Sequence, residues 1–226
     1  MNNEQLTGKS DQHIHWFSEN TGIHQEVVEP WKQLCHAANK QGYDLTIASG
    51  FRSFERQLSI WNRKFSGELA IKDIDNQHID ISTLSEHEII QAILTFSALP
   101  GASRHHWGTD VDVYDRNALP KKQSLQLEPW EYQKNGPFDE LTQWLKEHAR
   151  NYGFYFPYDK FRGGIAAEPW HLSYFPLANQ CQDQFTPLIL SDCLKVSNIL
   201  GKPQVIGQLG TIMTKYILNI GHSNHG

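Results

Sequence analysis

Cysteine and methionine are scarce in this chain, which has three cysteines and two methionines among 226 residues. The cysteines, Cys35, Cys181 and Cys193, are odd in number and none has CxxC spacing. This pattern is typical of reduced thiols and not of a disulfide framework. Cys35 and Cys193 have apolar neighbours, so we expect the thiols to be packing residues.

Long apolar runs and basic clusters are also missing. No window approaches the roughly 18 consecutive apolar residues of a membrane-spanning helix. The N-terminus has no basic region followed by an apolar run, so no secretory signal is predicted. A net charge of −5 without a lysine or arginine cluster disfavours nucleic acid as a partner. The default prediction is a cytoplasmic protein, although a mis-annotated start would allow a periplasmic one. The oligomeric state is not indicated.

The composition suits one well-cored domain, with 39% hydrophobic and 12% aromatic residues. Residues 1–22 are polar and patternless, which predicts a flexible N-terminal arm. Residues 23–226 are expected to form a single domain that ends in a helical tail at about 186–220. No repeat or shift in composition indicates a second domain.

Hydrophobic periodicity predicts the regular elements along the chain. Helices are expected at residues 27–41, 54–65, 85–96 and 137–152, and strands at 43–48, 109–114, 154–156 and 171–175. Residues 67–83 are expected to form a long polar loop, which is a candidate rim or lid for a functional site.

Two short motifs concentrate the residues suited to metal chemistry. Residues 103–112 read Ser-Arg-His-His-Trp-Gly-Thr-Asp-Val-Asp, and residues 168–171 read Glu-Pro-Trp-His. Three nitrogen or oxygen ligands with one open position are typical of catalytic zinc. His105 and Asp112 are too far apart in sequence to share one helix face. We therefore expect a loop histidine and a strand aspartate, bent together at Gly108.

These motifs, together with Gly-Phe-Arg-Ser at residues 50–53, resemble those of the zinc D-alanyl-D-alanine carboxypeptidase family. That family includes the vancomycin-resistance D,D-peptidases and shares a zinc fold with lysostaphin and Sonic hedgehog. The resemblance covers roughly residues 45–175. It implies an α+β fold, in which helices flank a small central antiparallel sheet.

The resemblance also implies the roles of the motif residues. His105, Asp112 and His171 would bind Zn²⁺, and Glu168 would be the general base. The chemistry agrees, because zinc lowers the pKa of its bound water to about 7 and polarises the scissile carbonyl. A neighbouring carboxylate takes the proton of that water during attack and returns it to the leaving amine.

Three further residues receive substrate-binding roles from the resemblance. Arg52 would lie near the substrate carbonyl or carboxylate, where a guanidinium stabilises an oxyanion or clamps a carboxylate. Ser103 and Gln57 would line the pocket. The alternative for Arg52 is a structural ion pair.

The chain departs from the family pattern at several positions. Asp110 stands where many relatives have a small residue, and it would either orient a ligand imidazole or simply bond to Arg104. His106 and Trp107 replace a polar pair, and His106 would stack at the cleft mouth or be structural. Ser173 replaces an arginine that often precedes the tyrosine, so substrate anchoring on that side is in doubt.

The leading functional hypothesis is a zinc carboxypeptidase that removes a terminal D-alanine from peptidoglycan stem peptides or their precursors. L,D-carboxypeptidase, dipeptidase and endopeptidase activities stay open as alternatives, with a peptidoglycan peptide or muropeptide as substrate in each case. A second class is a non-catalytic zinc-binding module, but the presence of Glu168 argues against a dead site. A structural or nucleic-acid-binding protein is supported only by the aromatic content.

Overall fold

A four-stranded antiparallel sheet forms the centre of the computed structural model, which describes residues 1–222; residues 223–226 of the predicted domain lie outside the described range. The strands of the described chain are β1 (Ile14–Ser18), β2 (Thr21–His24), β3 (Leu45–Ser49), β4 (Ile71–Lys72), β5 (His78–Ile79), β6 (Asp110–Asp115), β7 (Phe154–Tyr155) and β8 (His171–Tyr174). The helices are α1 (Asn3–Leu6), α2 (Val28–Asn39), α3 (Phe54–Phe65), α4 (Glu86–Leu94), α5 (Pro129–Tyr132), α6 (Asp139–His148), α7 (Phe175–Gln184), α8 (Pro187–Lys195), α9 (Lys202–Gly207) and α10 (Leu209–Ile212).

The central sheet has the strand order β3-β6-β8-β7, and every pair in it is antiparallel. Alternation along β6 sends Val111 and Val113 to one face and the aspartates at 110 and 112 to the other. All four side chains are buried. One face of the sheet therefore joins the apolar core, while the other carries the acidic residues of the site. The predicted α+β fold is confirmed.

The helices cover the sheet with their apolar faces. On α2, Trp31, Leu34 and Ala38 are buried and share one face by their helical spacing. Ser53 caps α3 by accepting a hydrogen bond from the Arg56 amide, so the helix begins where the sequence predicts. One apolar cluster extends over the chain and includes core residues from the first helix to the last turn.

The N-terminal segment is packed against the fold, which corrects the prediction of a flexible arm at residues 1–22. Leu6 is only 1% exposed, and its carbonyl oxygen accepts a hydrogen bond from Trp107 Nε1 at 3.1 Å. The Gly8 carbonyl accepts from the Phe54 amide, and β1 pairs with β2 in a hairpin. These contacts join residues tens of positions apart, so the local sequence pattern does not indicate them.

Several connections contain more regular structure than the sequence predicts. The loop at 67–83 includes the short β4–β5 hairpin, the connection at 115–136 includes α5, and α7 follows β8 directly. The helical tail consists of α8 to α10 and a closing π turn at Met213–Ile217. In residues 1–222 the three cysteines are unpaired, and no helix is both long and apolar enough to cross a membrane.

Candidate metal centre and cleft

Strand pairing brings two of the predicted ligands directly opposite each other. Asp112 in β6 and His171 in β8 are cross-strand partners, and Ser49 of β3 pairs with Asp112 on its other side. Opposed residues have Cβ atoms about 4.5–5.5 Å apart, so the register alone places the carboxylate beside the imidazole. The third residue, His105, comes from the short 3₁₀ helix Arg104–Trp107 that precedes β6.

The turn at Gly108 brings His105 back over the start of β6. Gly108 has a φ of +67°, and a Cβ atom there would lie 2.7 Å from the His24 amide nitrogen and 2.5 Å from Ile14 Cδ1. Glycine alone combines this left-handed conformation with the absence of a side chain. The structure therefore bends the histidine and the aspartate together at Gly108, as the sequence predicts.

Hydrogen bonds at the far ring nitrogens orient both imidazoles. His105 Nδ1 lies 2.9 Å from the carbonyl oxygen of Gly50, and His171 Nε2 lies 2.9 Å from Asp110 Oδ1. Because a carbonyl oxygen and an ionised carboxylate only accept hydrogen bonds, these two nitrogens carry the protons. In the neutral rings, His105 Nε2 and His171 Nδ1 therefore present lone pairs, as metal ligands do.

The lone pairs of the three residues converge on one point, since candidate ligand atoms of His105, Asp112 and His171 all lie within 4.8 Å of one another. Asp112 Oδ2 is 3.4 Å from His105 Nε2, and its Oδ1 is 3.3 Å from His171 Nδ1. Within residues 1–222, buried Asp112 Oδ1 has no aligned hydrogen-bond donor. A divalent cation held by the three residues would remove the electrostatic repulsion between their lone pairs and would give Asp112 Oδ1 a partner. The donor set therefore fits Zn²⁺.

The charges around this point favour a cation. Burial alone would lower the pKa of His171, but the hydrogen bond to Asp110 and the nearby carboxylates of Asp112 and Glu168 raise it well above its ordinary value. Burial alone would raise the pKa of Asp112, but the imidazoles of His105 and His171 hold it below the usual range. The electrostatic field that favours a proton at this point also favours a metal cation.

Asp110 has both of the roles that the sequence left open. Its Oδ1 accepts from His171 Nε2 and, at 2.8 Å, from Arg104 Nε. Its Oδ2 accepts from the hydroxyl groups of Thr109 at 2.6 Å and Ser173 at 3.1 Å. Arg104 Nη2 also donates to Ser173 Oγ at 2.7 Å. A guanidinium therefore lies beside Ser173, although residue 173 is not itself an arginine.

Glu168 reaches the same centre from a tight turn. The His171 amide donates to the Glu168 carbonyl at 3.1 Å, and Pro169 occupies the second position of this turn, where its fixed φ suits the geometry. The Glu168 amide donates to the Tyr158 carbonyl at 2.9 Å. Glu168 Oε2 lies 3.3 Å from His171 Nδ1, the nitrogen that faces the other ligand atoms. A carboxylate thus stands beside the metal position and borders the cavity.

Arg52 extends into the cavity from the loop that follows β3. Its Nη2 lies 3.8 Å from Asp112 Oδ2 and donates to Ser49 Oγ at 3.1 Å. Its Nη1 donates to Gln57 Oε1 at 2.9 Å, and Gln57 Nε2 donates to the Ala98 carbonyl at 2.7 Å. Gln57 is 0% exposed. The prediction that Gln57 lines the pocket is therefore wrong in this structure: both ends of its amide are engaged, and it holds Arg52 from behind.

The structure also locates Ser103, the second residue predicted to line the pocket, and His106. Ser103 lines the cavity. His106 is fully buried away from the cleft mouth, where its Nε2 accepts from the Gly101 amide and its Nδ1 lies 2.6 Å from the Arg52 carbonyl. Burial lowers the pKa of His106 to about 3, so its ring is neutral and structural.

The cavity at this centre has a volume of about 360 Å³ and includes residues that the sequence did not single out. Tyr158 packs edge-on against His171 with ring centroids 4.9 Å apart, and burial raises the pKa of its hydroxyl. No local pattern marks Tyr158, because it lies in an irregular segment. Lys64 also lines the cavity. The sequence contained an indication of this position, because Lys64 lies three residues after Trp61, on the same face of α3. The β4–β5 hairpin supplies part of the wall, as expected for the polar loop.

The similarity of this chain to known proteins agrees with its geometry. A family model described as VanY, D-alanyl-D-alanine carboxypeptidase, matches residues 20–177. An uncharacterized protein of Haemophilus influenzae is 45% identical over 126 residues, which are 55% of this chain and 96% of that protein. The solved structure of VanYB in complex with D-alanine-D-alanine has a TM-score of 0.54 at 22% identity, covering 78% of this chain and 85% of that one.

A second solved structure, of the vancomycin-resistance D,D-pentapeptidase VanY from a VanB-type cassette in complex with Zn(II), has a TM-score of 0.52 at 22% identity. It covers 77% of this chain and 88% of that one. At this identity, both structures establish the shared fold. Since the family model spans well over half of the sequence and ends just beyond the turn that carries the last histidine, the chain belongs to the VanY D-alanyl-D-alanine carboxypeptidase family, a family of peptidases.

Proposed function

We propose that this protein is a zinc-dependent carboxypeptidase that hydrolyses the bond before a terminal D-alanine in peptidoglycan stem peptides or their precursors. The observation that carries the proposal is the convergence of lone-pair atoms from His105, Asp112 and His171, with the Glu168 carboxylate 3.3 Å from His171 Nδ1. This cluster opens into a cavity large enough for a peptide end.

His105, Asp112 and His171 would hold the metal, and the hydrogen bonds of Gly50 and Asp110 would keep the two imidazoles in the required tautomers. When bound, Zn²⁺ supplies an acidified water and polarises the scissile carbonyl. Three N/O protein ligands would leave a position open to substrate, which distinguishes a catalytic site from a closed structural one.

Glu168 would act as the general base. Its carboxylate borders both the cavity and the ligand cluster, so it can take a proton from an attacking water and return it to the leaving amine. Its backbone is fixed on both sides by the hydrogen bonds to Tyr158 and His171. This fixation keeps the base oriented between the two proton transfers.

Arg52 would bind the substrate at its carbonyl or its terminal carboxylate. Gln57 and Ser49 each occupy one terminal nitrogen of the guanidinium, which still leaves N–H groups free to face the cavity. The family match and the D-alanine-D-alanine complex of a protein with this fold support a D-alanine-terminated substrate.

The test is mass spectrometry of products after zinc-loaded protein is incubated with purified muropeptides that carry tetrapeptide or pentapeptide stems. Loss of one D-alanine from the pentapeptide alone supports the D,D-carboxypeptidase, and loss from the tetrapeptide supports an L,D-enzyme. Free D-alanyl-D-alanine and cross-linked dimers test the dipeptidase and endopeptidase alternatives. Glu168→Ala is the control for a contaminating hydrolase.

Two results would contradict the proposal. Protein that binds one equivalent of zinc and cleaves none of these substrates would favour a non-catalytic zinc module. Protein that binds no zinc would remove the chemical basis of the hypothesis. The cytoplasmic location stays a prediction, which fractionation of cells that produce the full-length protein would test.

A further inference from the structure

Lys64 is a partly buried cation that the proposed mechanism does not use. It lies at the end of α3, three residues after the fully buried Trp61 and on the same helix face. An apolar residue is expected at such a position, because desolvation of an ammonium group is costly. A lysine that breaks the local pattern beside a cavity is therefore a candidate functional residue.

The environment of Lys64 lacks a compensating carboxylate. Its Nζ donates to Ser97 Oγ at 2.6 Å, and within residues 1–222 no carboxylate oxygen lies within the 4.0 Å of an ion pair. Burial lowers the pKa of Lys64, the guanidinium of Arg52 lowers it further, and Glu168 raises it. One neutral hydroxyl leaves two of its three N–H donors available to a ligand.

Two other cations of the cavity wall are paired within the protein. Lys72 forms an ion pair with Glu128 on the opposite hairpin wall, and the Arg104 guanidinium is held by Asp110. Metal binding would engage Asp112, the carboxylate closest to Arg52. Glu168 is then the one carboxylate that faces the metal position, Arg52 and Lys64 together within the described cavity wall. The cavity with its metal would therefore have excess positive charge, and an anionic group of a ligand would neutralise it.

Lys64 and Arg52 are connected to the same part of the cavity wall. Ser97, the partner of Lys64, is followed directly by Ala98, whose carbonyl accepts from the Gln57 amide that holds Arg52. Ser97 and Ala98 both line the cavity together with the two cations. The ammonium and the guanidinium can thus face one small anion from neighbouring positions.

We propose that Lys64, together with Arg52, binds the free α-carboxylate of the residue that leaves the peptide. The inference rests on the proposed function and makes it more specific: the substrate is a peptide chain end with a free carboxylate, and a cross-linked or amidated end is discriminated against. Arg52 supplies the fixed guanidinium, and Lys64 supplies a second charge-assisted hydrogen bond.

The experiment compares a D-alanyl-D-alanine-terminated stem pentapeptide with the same peptide ending in a carboxamide. Lys64→Gln should raise KM for the free acid about tenfold or more, as expected for loss of a hydrogen bond to a charged group. Its kcat for the acid and its kinetics on the carboxamide should change little. Lys64→Arg should restore part of the loss. Arg63→Gln, an exposed charge removal on the same helix, is the matched control.

The outcomes separate this inference from a structural role. If Lys64 only fastens α3 to Ser97, Lys64→Gln will lower the melting temperature and reduce activity on the acid and the carboxamide alike, and the proposal is overturned. Unchanged KM for the acid also overturns it. If the wild-type protein hydrolyses neither of these peptides nor the tetrapeptide stem, the proposed function fails. In that case, calorimetry of zinc-loaded protein with D-alanine and D-alaninamide still decides whether Lys64 selects a carboxylate.

Discussion

Asp110→Asn is the most informative single change, because it alters the charge behind the metal position and almost nothing else. Asparagine has nearly the same shape as aspartate. Its carbonyl can replace Oδ1 opposite His171 and Arg104, and its amide can donate to the hydroxyl groups of Thr109 and Ser173. The variant therefore keeps the hydrogen-bond pattern while it removes the negative charge.

Two consequences follow from the loss of this charge. His171 keeps an acceptor for its Nε2 proton but loses the negative charge that makes the ring a stronger ligand, and such carboxylate partners are worth about 10- to 100-fold in metal affinity. Arg104, which is only 4% exposed, loses its counter-charge; breaking a buried ion pair costs about 3–5 kcal/mol. The zinc dissociation constant should thus rise by one to two orders of magnitude, and the metal-free protein should become markedly less stable.

The assays are zinc competition against a chromogenic chelator and urea unfolding of the metal-free and zinc-loaded protein. Asp115→Asn is the matched control: Asp115 is a buried aspartate at the other end of β6, where its side chain accepts from the amides of Asp44 and Asn117. It should lower stability without changing zinc affinity. If Asp110→Asn binds zinc within twofold of wild type, the contribution of the Asp110 charge to metal affinity is refuted.

Other predictions concern catalysis, pH and the backbone. Asp112→Ala should lose both zinc and activity, whereas Glu168→Ala should retain zinc by elemental analysis and lose turnover; a near wild-type rate would contradict the general-base role. Burial lowers the pKa of His13 and of His24 to about 4, below the ordinary 6.5. Between these pH values the unfolded chain binds more protons, so stability should be complete above pH 6.5 and fall with pH, by about 2 kcal/mol per histidine at pH 5. Urea unfolding at pH 7.5 and 5 measures this loss, and His24→Asn, which keeps a capping acceptor for the Glu26 amide, should reduce it. Gly108→Ala should cost about 1–2 kcal/mol from its left-handed conformation alone, plus the clash with the His24 amide; a wild-type melting temperature would contradict this reading.

Local chemistry made much of this protein predictable. The 54–65 helix and the Ser85–Glu88 capping box depend on neighbours three or four residues apart, and the structure contains both. The grouping of the candidate ligands was also predictable, because His105, Asp112 and His171 fall within short motifs whose order resembles a known family. Gly108 indicated the bend between the first two.

Contacts between segments distant in sequence fixed the features that local patterns did not predict. The N-terminal segment packs because the Leu6 carbonyl meets Trp107, and no periodicity near residue 6 reports a partner 101 positions away. Gln57 lies behind Arg52 and not on the cavity wall, since the Ala98 carbonyl is available to its amide there. Helical spacing indicated that Lys64 faces inward, but only the tertiary fold placed it on the cavity wall beside Arg52.

Asp110 shows most clearly what the sequence determines and what the tertiary structure decides. The sequence determined that an acidic residue would share a strand face with Asp112, because side chains alternate with a period of two. The register of β6 against β8 then placed Asp110 opposite Ser173 and within reach of His171. Sequence periodicity therefore chose the face of the strand, whereas strand pairing chose the partners, because pairing depends on a chain segment some sixty residues away.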